Sequence, residues 1–92
     1  LAQAFGRPVA PHYMMELSLH MLCGVANGFM LENVVGGSFT ELGLLEEPVV
    51  VEGAVGRPPM RPGHGLVFDR AALDRVRLRP DTLKRVFTGG SK

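Results

Sequence analysis

Cysteine and tryptophan are scarce in this sequence, which has one Cys and no Trp among 92 residues. The single cysteine, Cys23, cannot form an internal disulfide, which favours a reducing compartment over a secreted, disulfide-stabilised scaffold. Polar residues also interrupt the most apolar stretch, residues 17–31, so it falls short of the roughly 20 apolar residues that a membrane-spanning helix needs. No basic-then-apolar signal region opens the chain. We therefore expect a cytoplasmic protein with no membrane association.

Negative charge is scarce in the second part of the chain. Residues 57–92 carry nine bases and three acids, whereas residues 1–56 carry one base and six acids, so the net charge of +1 hides an acidic first part and a basic second part. A basic segment can bind nucleic acid, but here only Phe68 and Phe87 supply aromatic rings and no nucleic-acid-binding motif occurs. We predict no nucleic-acid partner and interpret residues 79–92 as a basic tail.

The overall composition is that of a folded chain. Apolar residues make up 46% and charged residues 21% of the sequence, which is ordinary for globular proteins and argues against disorder. A chain of this length forms one domain at most and buries only about two-thirds of the surface that its unfolded form exposes. Its margin of stability is therefore small.

The first third of the chain predicts a strand, a helix and a second strand. Residues 1–5 resemble the last turn of a helix that ends at Gly6. Residues 9–11 and 29–31 are short apolar runs typical of buried strands. Between them, an amphipathic helix is predicted over residues 15–26, with an apolar stripe at spacings of three and four formed by Met14, Leu17, Met21, Leu22 and Val25.

The remainder is rich in loops. A loop at residues 35–38 is followed by a predicted short helix over 39–45 and a strand over 48–51, which Glu52 and Gly53 turn. A rigid loop is predicted over 56–65. Two helices follow, Arg70–Val76 capped by Asp69 and Pro80–Phe87, and then a frayed end at 88–92. Two short strands and one helix do not close a sheet or cover a parallel strand on both faces. The chain therefore looks like an incomplete unit.

Two ionisable residues stand where predicted strands end. His12 follows the first strand, and Glu32 follows the second. Neighbouring parallel strands lie about 4.8 Å apart, so side chains at their carboxyl ends can point into one pocket. The pattern alone leaves open a structural, hydrogen-bonded role for the histidine.

Other chemistry-bearing residues have structural interpretations. His12 and His20 would lie about 12 Å apart along one helix, too far for a shared metal ion. Glu16 and His20 are interpreted as an exposed pair one turn apart. We interpret His64 as part of a glycine-flanked turn and Cys23 as a buried, inert thiol. The loop at residues 35–38 has neither the Walker nor the dinucleotide spacing.

Five short motifs, taken in order, resemble the C-terminal end of enolase-superfamily enzymes. They are PVAPH (8–12), ELSLHML (16–22), FMLE (29–32), EG (52–53) and PGHGL (62–66). The resemblance covers residues 1–78, and the mandelate racemase-like group, especially its acid-sugar dehydratases, is the most similar.

The resemblance implies an α/β fold, the C-terminal fragment of a modified TIM (β/α) barrel. Residues 1–5 would end the sixth helix, and residues 9–11 and 29–31 would be the last two strands. The implied organisation is a barrel end over residues 1–37, a segment over 38–78 that returns to pack on the barrel and a capping domain, and the basic tail over 79–92.

The resemblance also implies a chemistry. His12 matches the general base or acid at the substrate α-carbon, and Glu32 matches the acid that hydrogen-bonds the substrate carboxylate as the enediolate forms. A protonated Glu32 would donate that bond. The family uses Mg²⁺, whose carboxylate ligands would lie upstream of this chain, so the 92 residues alone are expected to be inactive. We expect a small carboxylic acid as substrate and a homo-oligomeric parent protein.

Two alternatives from other classes stay open at this point. The first is a truncated or degenerate barrel fragment that serves only in packing or assembly. The second is a small binding module with a basic tail. Metal-dependent racemisation or dehydration of a hydroxy or sugar acid by the parent protein is the preferred prediction.

Overall fold

The computed structural model describes residues 1–89 and is a small mixed α/β unit. Its elements in chain order are a 3-10 helix Ala2–Phe5, α1 Met15–Cys23, β1 Val51–Glu52, β2 Val55–Gly56, α2 Arg70–Val76 and α3 Pro80–Phe87. The predicted bounds of α2 and α3 are confirmed. The last three residues of the predicted frayed end, 90–92, lie outside the described residues.

The opening helical turn ends on glycine as predicted. Gly6 has φ 62 and ψ 31, in the left-handed region, and its N–H donates to Gln3 O at 3.0 Å. Glycine enters this conformation without the steric cost that a Cβ atom adds. The turn is of the tighter 3-10 type rather than α-helical.

The two predicted strands at residues 9–11 and 29–31 are reduced to one parallel bridge between Val9 and Gly28. Val9 N–H donates to Asn27 O at 2.9 Å, and Phe29 N–H donates to Val9 O at 2.9 Å. The next bond of a parallel ladder would need the N–H of residue 11, which is proline and has none. The prediction of two three-residue strands is therefore wrong, because the pairing is limited to one bridge.

The predicted burial of the second run is also wrong. Phe29 and Met30 are 67% and 63% exposed. A parallel strand is covered only when layers pack on both of its faces, and within residues 1–89 no further strand pairs with this run.

Helix α1 begins at the predicted residue but ends three residues early, where Gly24 follows it. Its buried apolar residues are Met15 and Leu19, whereas Met21 is 62% exposed and Val25 is also exposed. The predicted stripe therefore lies largely on the wrong face, because the packing partners of α1 lie on the side of Met15 and Leu19. Cys23, predicted to be buried, is exposed at the end of the helix.

The predicted helix over residues 39–45 is a series of turns. Leu42 N–H donates to Ser38 O at 3.1 Å, but Leu44 N–H reaches back to Phe39 O at 3.0 Å, past the helical partner. Gly43, with φ 68, ends the helical geometry between them.

The strand predicted at residues 48–51 is shorter and shifted. Val51–Glu52 pairs antiparallel with Val55–Gly56. The turn between them lies at Gly53 and Ala54, with φ 55 and φ 64, one residue later than predicted. Two successive positive φ values are typical of the tight hairpin turn whose twist matches that of the strands.

The core joins α1 to the loop-rich second segment. Its buried members are Met15, Leu19, Leu45, Val49 and Leu66, with Leu17, Leu31, Phe39 and Phe68 packed against them. An antiparallel bridge pairs Leu45 with Phe68, and Asp69 caps α2 by accepting from Ala72 N–H at 3.1 Å, as predicted.

The molecule is elongated for its length. Its radius of gyration is 16.8 Å, with extents of 51 × 31 × 24 Å, whereas a compact domain of this length has a radius of about 12 Å. Within residues 1–89, the helices are too short to cross a bilayer.

Candidate active site

The structure brings His12 and Glu32 together, although they are 20 residues apart in the chain. His12 Nδ1 lies 2.6 Å from Glu32 Oε2. The parallel bridge between Val9 and Gly28 aligns the two segments, so the residues that follow the bridge on each side lie next to each other. The His12 side chain is 82% exposed and that of Glu32 is 43% exposed.

A backbone group completes the surroundings of the carboxylate. Tyr13 N–H donates to Glu32 Oε2 at 2.8 Å. This hydrogen bond is the main reason that the pKa of Glu32 lies below its ordinary value. Desolvation of the carboxylate acts in the opposite direction, and the His12 ring adds smaller lowering effects as a hydrogen-bond partner and as a charge. The carboxyl group is therefore held in its ionised form.

This ionised state differs from the protonated Glu32 expected from the resemblance. A carboxyl group stays protonated in a dry, apolar site, where the charged form is poorly solvated. In the described structure Glu32 is exposed and accepts from Tyr13 N–H, and both features favour the carboxylate.

The chain between His12 and α1 is a left-handed turn. Tyr13 has φ 63 and Met14 has φ 49, a conformation that residues other than glycine adopt at a cost. The Ser18 hydroxyl donates to Tyr13 O at 2.8 Å, and Ser18 N–H donates to Met14 O at 2.9 Å. The backbone that carries His12 is thus anchored on the first turn of α1.

The predicted pairing of Glu16 with His20 is wrong. Glu16 is 1% exposed, and its Oε1 accepts from Thr40 N–H at 2.8 Å. Glu16 Oε2 and His20 Nε2 are both buried, and neither has a hydrogen-bond partner among the described residues. The carboxylate ties α1 to the turn at Thr40 instead of forming a solvated pair on the helix surface.

His64 has the structural role predicted for it. Its Nδ1 accepts from Leu66 N–H at 3.0 Å, which closes the glycine-flanked turn. This histidine holds a turn and does not join His12 and Glu32.

The residues around the His12–Glu32 pair fall inside a recognised family domain. The family model described as enolase C-terminal domain-like matches residues 1–72, which include both side chains and the whole of α1. The chain belongs to the enolase C-terminal domain-like family. This match confirms the resemblance inferred from the five motifs at the level of the family. Comparison with the curated proteins and with the solved structures gave no match.

Members of the enolase superfamily typically use Mg²⁺, but the residues described in this member do not fit that ion. No group of three or more His, Cys, Asp or Glu side chains lies together as a metal site within residues 1–89. Mg²⁺ demands an octahedral, oxygen-rich shell, and Glu32 Oε2 is already taken by His12 and Tyr13.

The sequence patterns missed two groups that surround the His12–Glu32 pair, the Tyr13 N–H group and the Ser18 hydroxyl. A backbone N–H group cannot be recognised from a residue pattern. Ser18 could have been recognised, because it lies three residues after Met15 and one before Leu19, on the buried face of the helix. A small polar residue on a buried helix face needs a hydrogen-bond partner nearby.

Proposed function

We propose that this chain supplies the proton-transferring pair of an enzyme that abstracts the α-proton of a small hydroxy or sugar carboxylic acid, as a racemase or a dehydratase. One observation carries the proposal: His12 Nδ1 lies 2.6 Å from Glu32 Oε2. Membership of the enolase C-terminal domain-like family supports it.

His12 is the base in this proposal. With Nδ1 directed at Glu32, the other ring nitrogen, Nε2, faces outward on a side chain that is 82% exposed. An Nδ1–H tautomer leaves a lone pair on Nε2, which takes the proton from the substrate α-carbon while the C–H electron pair moves into the carboxylate to form an enediolate. Imidazole suits the step because it exchanges protons near neutral pH.

Glu32 is the partner of that base. A carboxylate hydrogen-bonded to one imidazole nitrogen fixes the tautomer and stabilises the imidazolium that forms at proton transfer. Its contact with Tyr13 N–H, at 2.8 Å, keeps the carboxylate in place. This role replaces the donation by a protonated Glu32, which the ionised state of the group does not support.

The barrel origin of the chain is part of the same proposal. The single parallel bridge between Val9 and Gly28 supports residues 9–11 and 29–31 as neighbouring strands of a barrel. Five further expectations stay predictions. They are the boundaries at residues 37 and 78, the capping-domain contact, the upstream Mg²⁺ ligands, a cytoplasmic location and a homo-oligomeric parent.

The test is exchange of the α-proton with solvent deuterium, followed by NMR on a panel of hydroxy and sugar acids with the intact protein that contains this chain. His12→Asn removes the base while keeping a polar side chain, and the exchange rate should fall by about 10²- to 10⁴-fold. His64→Asn is the matched control, since His64 serves a turn, and it should exchange at the wild-type rate. Equal rates for His12→Asn and wild type would refute the proposal.

Glu32→Gln tests the partner role. Glutamine keeps an oxygen that can accept from Tyr13 N–H, so the melting temperature should change little, whereas loss of the charge beside His12 should lower kcat by about 10⁴-fold. Near-normal kcat with a lowered melting temperature would assign Glu32 to structure alone.

A non-catalytic packing role is the second candidate, favoured by the elongated shape and the exposed apolar run at Phe29 and Met30. It predicts no deuterium exchange by the wild-type protein with any acid of the panel. It also predicts that His12→Asn has no effect on assembly.

A further inference from the structure

Ser18 and Glu32 contact opposite ends of the same residue. The Ser18 hydroxyl donates to Tyr13 O at 2.8 Å, and Tyr13 N–H donates to Glu32 Oε2 at 2.8 Å. Tyr13 directly follows His12, so its backbone conformation decides both where its N–H points and where the His12 ring is held.

That conformation is not one that the two residues prefer. Tyr13 and Met14 have φ 63 and φ 49, and an L-residue in this region persists only where its surroundings hold it. Met14 O accepts from two N–H groups in the first turn of α1, those of Leu17 at 3.1 Å and Ser18 at 2.9 Å. Tyr13 O is held by the Ser18 hydroxyl.

The end of the Tyr13 ring lies close to Gly37. A Cβ atom at Gly37 would lie 2.5 Å from the Tyr13 hydroxyl oxygen, a distance that forces a shift. The ring therefore lies against the Gly37 backbone.

Ser18 is itself shielded from water, since it is 3% exposed. Loss of the hydroxyl would therefore remove a buried donor from Tyr13 O. Ser38 offers a comparison, because it is 2% exposed but accepts from Glu41 N–H at 3.0 Å and makes no hydrogen bond to the turn.

We infer that Ser18 is a positioning residue for the His12–Glu32 pair: its hydroxyl holds the left-handed turn at Tyr13 and Met14, and the turn aims Tyr13 N–H at Glu32. The catalytic meaning of this arrangement rests on the proposed function. The arrangement itself does not, so it is measured without substrate.

The readout is the titration of the Glu32 carboxyl carbon, followed by ¹³C NMR in wild type, Ser18→Ala and Ser38→Ala. His12 is the titratable group that faces Glu32, and it is kept in all three. In wild type the Glu32 midpoint should lie below that of a free glutamate. Ser18→Ala should move it upward, toward the free value, because Tyr13 N–H no longer points at the carboxylate. Ser38→Ala should leave it at the wild-type position.

A rescue variant separates the turn from general loss of stability. Glycine adopts the conformation of Met14 without strain, so Met14→Gly in the Ser18→Ala background should restore the wild-type midpoint of Glu32. It should also restore folding if Ser18→Ala alone unfolds. In the active protein, Ser18→Ala should lower kcat by up to about 10²-fold through misplacement of the base, and Met14→Gly should recover it.

Three results would overturn the inference. The first is a Glu32 midpoint in wild type equal to that of a free glutamate, and the second is an equal shift in Ser18→Ala and Ser38→Ala. The third is failure of Met14→Gly to rescue. If the titrations behave as expected while His12→Asn leaves deuterium exchange unchanged, the positioning role stands and the proposed function fails, so the two are distinguished.

Discussion

Part of the loop-rich segment at residues 38–68 enters the core, whereas no residue of the two runs with the strongest strand pattern, 9–11 and 29–31, is fully buried. Leu45, Val49 and Leu66 are buried in the core, although little regular structure surrounds them. Phe29 and Met30, by contrast, are mostly exposed. In this chain, residues are buried where they pack against α1. A regular strand pattern does not by itself lead to burial.

Helix α1 shows the same contrast within one element. Met15 and Leu19 face the loop segment and are buried, while Met21 faces away and is 62% exposed. A spacing of three and four predicts that a helix has an apolar face, but here both sides carry apolar residues. Which side of α1 enters the core is decided by Leu45, Val49 and Leu66, which lie more than 20 positions further along the chain.

Shortening the Leu19 side chain should give the largest loss of stability among the variants that test this contrast. Leu19→Ala removes a side chain that is 5% exposed and should lower the free energy of unfolding by about 2–5 kcal/mol. Met21→Ala, on the exposed side of the same helix, should change it by about 0.5 kcal/mol or less. Urea denaturation of both variants is the measurement. Equal losses would mean that the exposed side is covered in the protein.

Glu16 gives a smaller effect that links the two regions. Glu16→Leu leaves Thr40 N–H without its acceptor and should cost about 1–3 kcal/mol of unfolding free energy. Glu16→Gln keeps an acceptor oxygen and should be close to wild type in the same denaturation experiment. If the leucine variant is as stable as the glutamine variant, the contact with Thr40 does not hold the segment on α1.

The pH dependence that comes from Glu32 should be the smallest effect, because the group is exposed and screened by water. Its pKa is lower in the folded protein than in the unfolded chain, chiefly through Tyr13 N–H. The folded state therefore binds fewer protons, and the stabilisation is complete above the ordinary glutamate pKa and is lost as the pH falls through the lowered value. The stability difference between wild type and Glu32→Gln should shrink between neutral and acidic pH. A difference that grows on acidification would contradict this sign.

The sequence predicted those features that depend on neighbouring residues. Asp69 before Arg70–Val76 and proline at the start of Pro80–Phe87 are local helix signals, and both helices have the predicted bounds. The approach of His12 to Glu32 was also predictable, because two parallel runs that end in ionisable residues place them side by side.

Features that depend on distant partners were not predictable. The burial of Glu16 depends on Thr40, 24 residues away, and the end of the Tyr13 ring lies against Gly37, which is just as distant in the sequence. The short extent of the first strand was visible in principle, since Pro11 cannot donate the next ladder bond. The ionised state of Glu32 was hidden, because its cause is a backbone N–H.

The exposed thiol of Cys23 gives the end of α1 a chemical reporter. Cys23 is the last residue of the helix and follows Leu19 by one turn, so it lies on the side that carries the buried Met15 and Leu19. A maleimide reagent should alkylate this cysteine readily where the end of the helix is open, and slowly where another chain segment lies over it. Since the sequence contains no other cysteine, the alkylation rate measures coverage of that end of the helix.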